Sequence, residues 1–478
     1  MRHVLRLARP SAPVCLALLL AVAACGDPGD PGDPGATASM SGSSGDLPTA
    51  TTGDDPAPTT GGPTTTDPGG TMSASGTTGA AACDPAALVL DERGFVPRGQ
   101  PIHGELARCG EHRWYIALPD ESSWQFTLTR TGGTGPLEAT VVYPDEPQDT
   151  IWSAGLAPPL VSGEAPAQAI LAVPRSGEFA IHVRSSTPDE PATYDLELTC
   201  AIGCARETTR FPIVLVHGWT GFEAIGPLTY FFNVHEDLAG LGFPIEVAVL
   251  DPYNSTTVRS GQLATQVDEF LVGQRARKVD LLGHSQGGID SRAVVASHGY
   301  GDRVSALISV ASPHRGTYIM DLALGLAPGP VEDTVGLLLN FLGAVTAQQK
   351  SDAKASFYSL SETYMQGEFN PMNPDDPQVQ YISYTGRTCD ALGFLDPDRD
   401  CQDLVDPLIG WGYAILQPAR GDNDGLVTVE SAEWGEYRGE MIADHIDEVG
   451  QIAGITDPKF KHLEFYRKLA RDLAAEQH

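Results

Sequence analysis

Basic residues are the first shortage in this chain. Lysine and arginine together number 30 against 62 acidic residues, so the formal net charge is −32. A surface of that sign repels phosphate backbones instead of neutralising them, which excludes nucleic acid as a partner. Apolar length is also short at the N-terminus. The run over 14–24 follows Arg2, Arg6 and Arg9 and cannot span a bilayer, but it suits the apolar region of a secretory signal. Cysteines number eight, and Cys15 and Cys25 fall in that export segment. The C-x3-C pair, Cys200 and Cys204, has neither a histidine nor a second cysteine pair beside it, which argues against a metal site. In an exported chain the even remainder reads as disulfides. Cys389 with Cys401 closes a short loop and is the expected pair, while Cys83, Cys109, Cys200 and Cys204 staple the region before the last domain.

What is present divides the chain into four parts. Residues 1–24 are an export signal ending in Val-Ala-Ala-Cys, which resembles the lipobox of bacterial lipoproteins; that resemblance implies lipidation at Cys25 and a membrane anchor at the cell surface or outer membrane. Residues 25–82 open with GDPGDPGDPG, continue in Ser, Thr, Gly and Pro, and offer almost nothing to bury, so they are expected to be a disordered tether with a reach of ~40 Å. Residues 83–204 carry short alternating segments such as WQFTLTR, FAIHVRS and YDLELTC separated by turn residues, the pattern of an all-β sandwich or jelly roll. They resemble the prepeptidase C-terminal type of β-domain appended to secreted hydrolases. From 205 to 478, apolar runs (PIVLV, IEVAVL, VDLL, VSALISVA) alternate with helical stretches, the rhythm of a parallel α/β sheet.

Within that last part VDLLGHSQGG reads as strand, Gly283-His284-Ser285-Gln286-Gly287 turn, then helix. This is the G-x-S-x-G context that lifts a serine hydroxyl off a sheet, with glycines where a Cβ would clash. A nucleophilic serine needs a base, and in this architecture the partners follow in the order serine, acid, histidine. His445 is left once His462, on an amphipathic helix, and His478, at the terminus, are set aside. Asp424 in GDNDGLV is the expected acid, with Asp422 as the alternative. The loop after the first strand carries His217-Gly218, so the backbone N–H groups of Trp219 and Gln286 are the expected oxyanion donors. His217 precedes the serine and is expected to brace that loop.

Taken together, HGWTGF, GHSQGG, VASPHRGT, NDGLV and DHIDEVGQIAGI resemble the secreted true lipases of bacteria, the calcium-dependent pseudomonad type, over about 211–475. The resemblance implies an α/β-hydrolase fold, hydrolysis of long-chain acylglycerols through an acyl-enzyme, and a dedicated folding chaperone as a candidate partner. It also implies structural Ca²⁺. Asp447, Gln451 and Ile455 recur at four-residue steps and offer a carboxylate, an amide oxygen and a backbone carbonyl, and Asp406 matches the remaining carboxylate. The segment 317–347, with the all-round apolar DTVGLLLNFLGAV, reads equally as a buried core helix or as a lid over an acyl cleft. An esterase, a polyester depolymerase or a thioesterase would use the same machinery. A noncatalytic surface-binding module is the reading outside enzymes, and the intact order of serine, acid and histidine weighs against it.

Overall fold

The computed structural model describes residues 82–84, 87–144, 146–150, 160–219, 224–225, 228–328, 353–389, 403–457 and 459–478. The export signal, nearly all of the expected tether, and 329–347 of the expected lid lie outside the described residues.

The all-β part runs from strand Val89–Phe95 to strand Ala192–Ile202. Its alternating segments face inward at every second residue, as Phe126 and Leu128 do on one sheet and Phe179, Ile181 and Val183 on the other. These two sets pack into one core, so the unit is a sandwich: a six-stranded sheet over a four-stranded one. Cys83 is bonded to Cys109 and Cys200 to Cys204, so the C-x3-C pair is a disulfide and not a metal site. Cys389 is also disulfide-bonded, while Cys401 lies outside the described residues.

The second part is built on β1 (Ile213–Val216), β2 (Ile245–Ala248), β3 (Val279–His284), β4 (Val304–Val310), β5 (Gln380–Arg387) and β6 (Glu436–Ile442). They lie side by side in the order β2-β1-β3-β4-β5-β6, and every pairing is parallel. The continuous apolar runs are explained by this placement: all residues of β1 and β3 are buried, because helices cover both faces. Helix α1 (Val234–Leu241) joins β1 to β2. Helix α2 (Thr256–Gly273), capped by the Ser255 hydroxyl accepting from the Val258 N–H, leads back to β3. Helix α3 (Gln286–Ser297) follows β3 and begins two residues before the sequence places it, directly after Ser285. Strand order reverses between β1 and β3, and it is at such a switch, outside the carboxyl ends of the strands, that α/β sheets form ligand crevices.

Candidate active site

Ser285 lies in the turn between β3 and α3 with φ 55° and ψ −128°, a left-handed backbone that costs a non-glycine residue about 1–3 kcal/mol. The glycines around it are explained by what a Cβ would meet. At Gly283 it would fall 2.5 Å from the Gly288 nitrogen, and at Gly287 it would fall 2.1 Å from the Val216 carbonyl oxygen of β1. Neither obstacle can move, since both are backbone of packed elements. Strand, turn and helix therefore close around the serine only with glycine at those positions.

His445 follows β6 and faces Ser285 across a small cavity of about 30 Å³, also lined by Trp219, Thr317, Met320 and Leu426. Its Nδ1 is 2.8 Å from Asp424 Oδ2, and its backbone N–H donates to the Asp424 carbonyl at 3.0 Å. The other oxygen of Asp424 accepts from the N–H groups of Leu426 and Val427 at 2.8 and 2.7 Å. A carboxylate held by two backbone donors cannot rotate away from the imidazole, and the GDNDGLV turn supplies them both. Asp422, the alternative acid, is half-buried, and its carbonyl accepts from the Val429 N–H at 2.9 Å.

Behind the histidine lies a buried polar chain that sequence reasoning missed. Glu448 is fully buried, with Oε2 2.8 Å from His284 Nε2 and 3.7 Å from His445 Nδ1. His284 Nδ1 in turn pairs with the Tyr230 hydroxyl at 2.7 Å. Burial, reinforced by the neighbouring carboxylates of Asp424 and Asp444, pushes the Glu448 carboxyl well up, and burial pushes His284 well down. Both shifts favour the uncharged forms, in which one hydrogen bond serves the pair without burying net charge. The available signal was the three-residue step from His445 to Glu448 in DHIDE.

Of the expected oxyanion donors, Trp219 lies three residues after β1 and Gln286 is the first residue of α3, where the N–H has no acceptor within the helix. His217 donates from Nδ1 to the Gly218 carbonyl at 2.9 Å and accepts from the Leu250 N–H at 3.0 Å. Burial lowers its pKa to about 3, so it is a neutral brace for the loop. Arg259, completely buried, pins the same loop, donating to the His217 carbonyl at 2.6 Å, to the Asp251 carbonyl at 2.6 Å and to Asp290 at 2.7 Å.

Asp447 sits two residues beyond His445 among other aspartates. Its Oδ2 accepts from the Asp457 N–H at 2.7 Å, and Asp444 accepts from the N–H groups of Asp406 and Asp447 at 2.6 and 2.9 Å. Burial and then acid neighbours raise Asp447 to about 6 and Asp444 to about 8. Among those neighbours Asp403, fully buried and absent from the sequence-derived set, acts on Asp447 more strongly than the half-buried Asp406, whose Oδ1 is engaged by the Leu408 N–H. The backbone carbonyls of Gln451 and Ile455 accept no hydrogen bond among the described residues. The donors gathered here are all oxygen. Among the described residues only His284, His445 and Glu448 bring three ligand atoms within 4.8 Å of one another, so no more than two of these aspartates converge on one point.

Comparison with known proteins follows the same outline. A family model described as palmitoyl protein thioesterase matches residues 212–373. A triacylglycerol lipase of Vibrio cholerae is 30% identical over 291 residues, covering 55% of this chain and 88% of the relative. A triacylglycerol lipase of Pseudomonas fragi is 28% identical over 291 residues, covering 55% of this chain and 96% of the relative. The crystal structure of the mature Bacillus licheniformis lipase is 22% identical, with a TM-score of 0.42, over 56% of this chain and 94% of that one. With the nucleophile turn, the histidine and the carboxylate at the carboxyl ends of a parallel sheet, and a lipase relative matched over most of its length, the chain belongs to the bacterial triacylglycerol lipases of the α/β-hydrolase superfamily and is a serine ester hydrolase.

Proposed function

We propose that the protein cleaves long-chain acylglycerols with Ser285 as nucleophile, His445 as base and Asp424 as its orienting acid. The observation that carries the assignment is the His445–Asp424 hydrogen bond opening onto the same cavity as the strained Ser285. Ser285 Oγ attacks the ester carbonyl carbon while His445 Nε2 takes its proton, and Asp424 stabilises the imidazolium. The N–H groups of Trp219 and Gln286 hold the negative oxygen of the tetrahedral intermediate. Collapse expels the alcohol, which receives the proton from His445. Water, deprotonated by the same nitrogen, then attacks the acyl-enzyme and releases the acid.

A thioester substrate is the second reading, favoured by the thioesterase family model across 212–373. Purified protein, with Ser285→Ala as control, assayed on esters and matched thioesters of graded acyl length tests both. Long-chain esters are expected to be cleaved fastest. A maximum at short chains, or thioesters cleaved faster than matched esters, would replace the acylglycerol reading.

Two further proposals rest on the sequence. The lipobox supports export and anchoring through lipidated Cys25, for which an unmodified N-terminus found by mass spectrometry is the contrary result. The oxygen donors of Asp447, of Asp406 or Asp403, the amide oxygen of Gln451 and the backbone carbonyl of Ile455 fit a hard cation such as Ca²⁺. A bound ion would supply fixed positive charge between these chain segments. The loop carrying His445 two residues earlier would then be held in place.

A further inference from the structure

We infer that the β-sandwich is a fixed structural half of this enzyme, docked through arginines and aromatic rings gathered around Glu178 onto the amino-terminal edge of the catalytic sheet, where it stabilises the hydrolase part without entering catalysis. Glu178, on strand Gly177–Ser185 of the sandwich, has a side chain only 2% exposed. Arg277 takes both of its oxygens in a fork, at 2.9 and 3.0 Å, and Arg210 donates from Nε to one of them. Neither arginine belongs to the sandwich. Arg210 precedes β1 and Arg277 precedes β3, so the carboxylate is buried against the amino ends of two adjacent catalytic strands.

The surroundings repeat that arrangement. Arg277 lies over the Tyr115 ring at 4.2 Å and Arg275 over the Tyr143 ring at 4.1 Å, both rings being contributed by the sandwich. In the opposite direction Arg175 of the sandwich donates to the Arg275 carbonyl at 3.0 Å, and the buried Ser176 hydroxyl donates to the Gly242 carbonyl at 2.6 Å. The segment joining the two parts is itself fastened. Arg206 donates to Asp120 at 2.6 Å, and its carbonyl accepts from Arg98 at 3.1 Å.

Charge decides between a docked and a swinging sandwich. A tethered module would leave Arg210, Arg275 and Arg277 solvated and Glu178 in water, where such pairs contribute little. Here the acid is desolvated between two partly covered arginines, so removing Glu178 leaves two like charges side by side without their shared partner, which is destabilising. The edge it grips is also remote from chemistry. The six residues of β3, roughly 20 Å of extended chain, lie between Arg277 and Ser285. The sandwich is thereby placed to change stability and not turnover.

Calorimetry on the full-length protein tests this. The wild type is expected to melt in one cooperative transition, and Glu178→Ala to lower it by about 3–6 °C. Turnover and KM at 25 °C are expected to stay within twofold of wild type. Adding Arg277→Ala to Glu178→Ala should cost less than Arg277→Ala alone, since the partner is already gone. Should Glu178→Ala fail to fold, Tyr143→Leu, which removes the ring lying under Arg275 and Arg175 and against Phe179, should lower the single transition by about 1–2 °C. Two separate wild-type transitions, or a substitution at Glu178 or Tyr143 that leaves the hydrolase transition unmoved, would make the sandwich a free module and overturn the inference. A tenfold change in turnover or KM at 25 °C would overturn its separation from catalysis.

Discussion

At the carboxyl edge of the parallel sheet Ser285 holds a left-handed backbone, His445 and Asp424 are buried as a pair, and Glu448 and His284 are buried as a second pair whose environment favours the uncharged forms. At the amino edge of the same strands Glu178 is buried between two arginines and capped by aromatic rings. Both edges hide polar groups from water, but they do so for different ends. The carboxyl edge keeps protons movable and backbone strained, arrangements that lower stability and serve chemistry. The amino edge matches fixed opposite charges, an arrangement with no proton to give and every contact contributing to cohesion. Substitutions should therefore sort by edge, with rate lost at one and melting temperature lost at the other.

The largest expected effect sharpens the carboxyl edge alone. Ser285→Ala and His445→Ala should each lower turnover by ~10⁴–10⁶-fold, because the members of such a unit act together. The melting temperature of Ser285→Ala should stay near wild type, since alanine meets the same backbone at 285, while His445→Ala should lose some stability because it leaves the buried Asp424 without its imidazole partner. A variant retaining a tenth of wild-type turnover would break the assignment.

Gly287→Ala tests whether the edges are as separable as the comparison holds, since it lies at the catalytic turn yet meets rigid backbone of β1. Overpacking of this kind costs about 1–3 kcal/mol, so melting temperature and turnover should fall together. Thermal unfolding and a single-substrate assay read both, and a variant changed in neither would remove the packing argument for the glycines.

Chelation is expected to act in the same double way on a smaller scale. If Ca²⁺ holds the Asp447 loop, a metal-free preparation should lose activity and several degrees of melting temperature, and added Ca²⁺ should restore wild type but not Asp447→Ala. Full activity and an unchanged melting temperature, with metal content verified by elemental analysis, would remove the ion from the account.

At neutral pH the last effect vanishes, and it is read as a slope. His217 is buried and its pKa is lowered to about 3, so between pH 6.5 and about 3 the unfolded chain binds a proton that the folded one does not. Its contribution to stability is full above pH 6.5 and is lost as pH falls toward 3, by about 1.4 kcal/mol per pH unit. Urea unfolding at pH 7, 5 and 4 should show a shallower acid loss in His217→Gln than in wild type. An identical slope would mean that His217 is charged in the fold.

The legibility of these features in the sequence follows the same division. Ser285, the strand before it and the helix after it announce themselves by local pattern, because the turn dictates glycines at fixed steps and buried parallel strands dictate continuous apolar runs. The partner of His445 needed only chain order and a tight turn to pick out Asp424. Glu448, Tyr230 and Arg259 were not legible, since each meets its partner across 31 to 164 residues of chain and none carries a local pattern. The amino edge was invisible for the same reason: Glu178 and Arg277 lie 99 residues apart, in parts read as separate domains. Asp403, the stronger charge on Asp447, was not legible beside Asp406 because a motif fixes which residue types gather and leaves spacing across a loop free.

The central claim is that Ser285 carries the acyl group. Wild-type protein treated with a long-chain alkyl phosphonate ester, which reacts with an activated serine and mimics the tetrahedral intermediate, should lose activity in step with one covalent adduct, and peptide mass spectrometry should place that adduct on Ser285. Full inactivation with the adduct on another residue, or undiminished labelling of Ser285→Ala, would contradict the account.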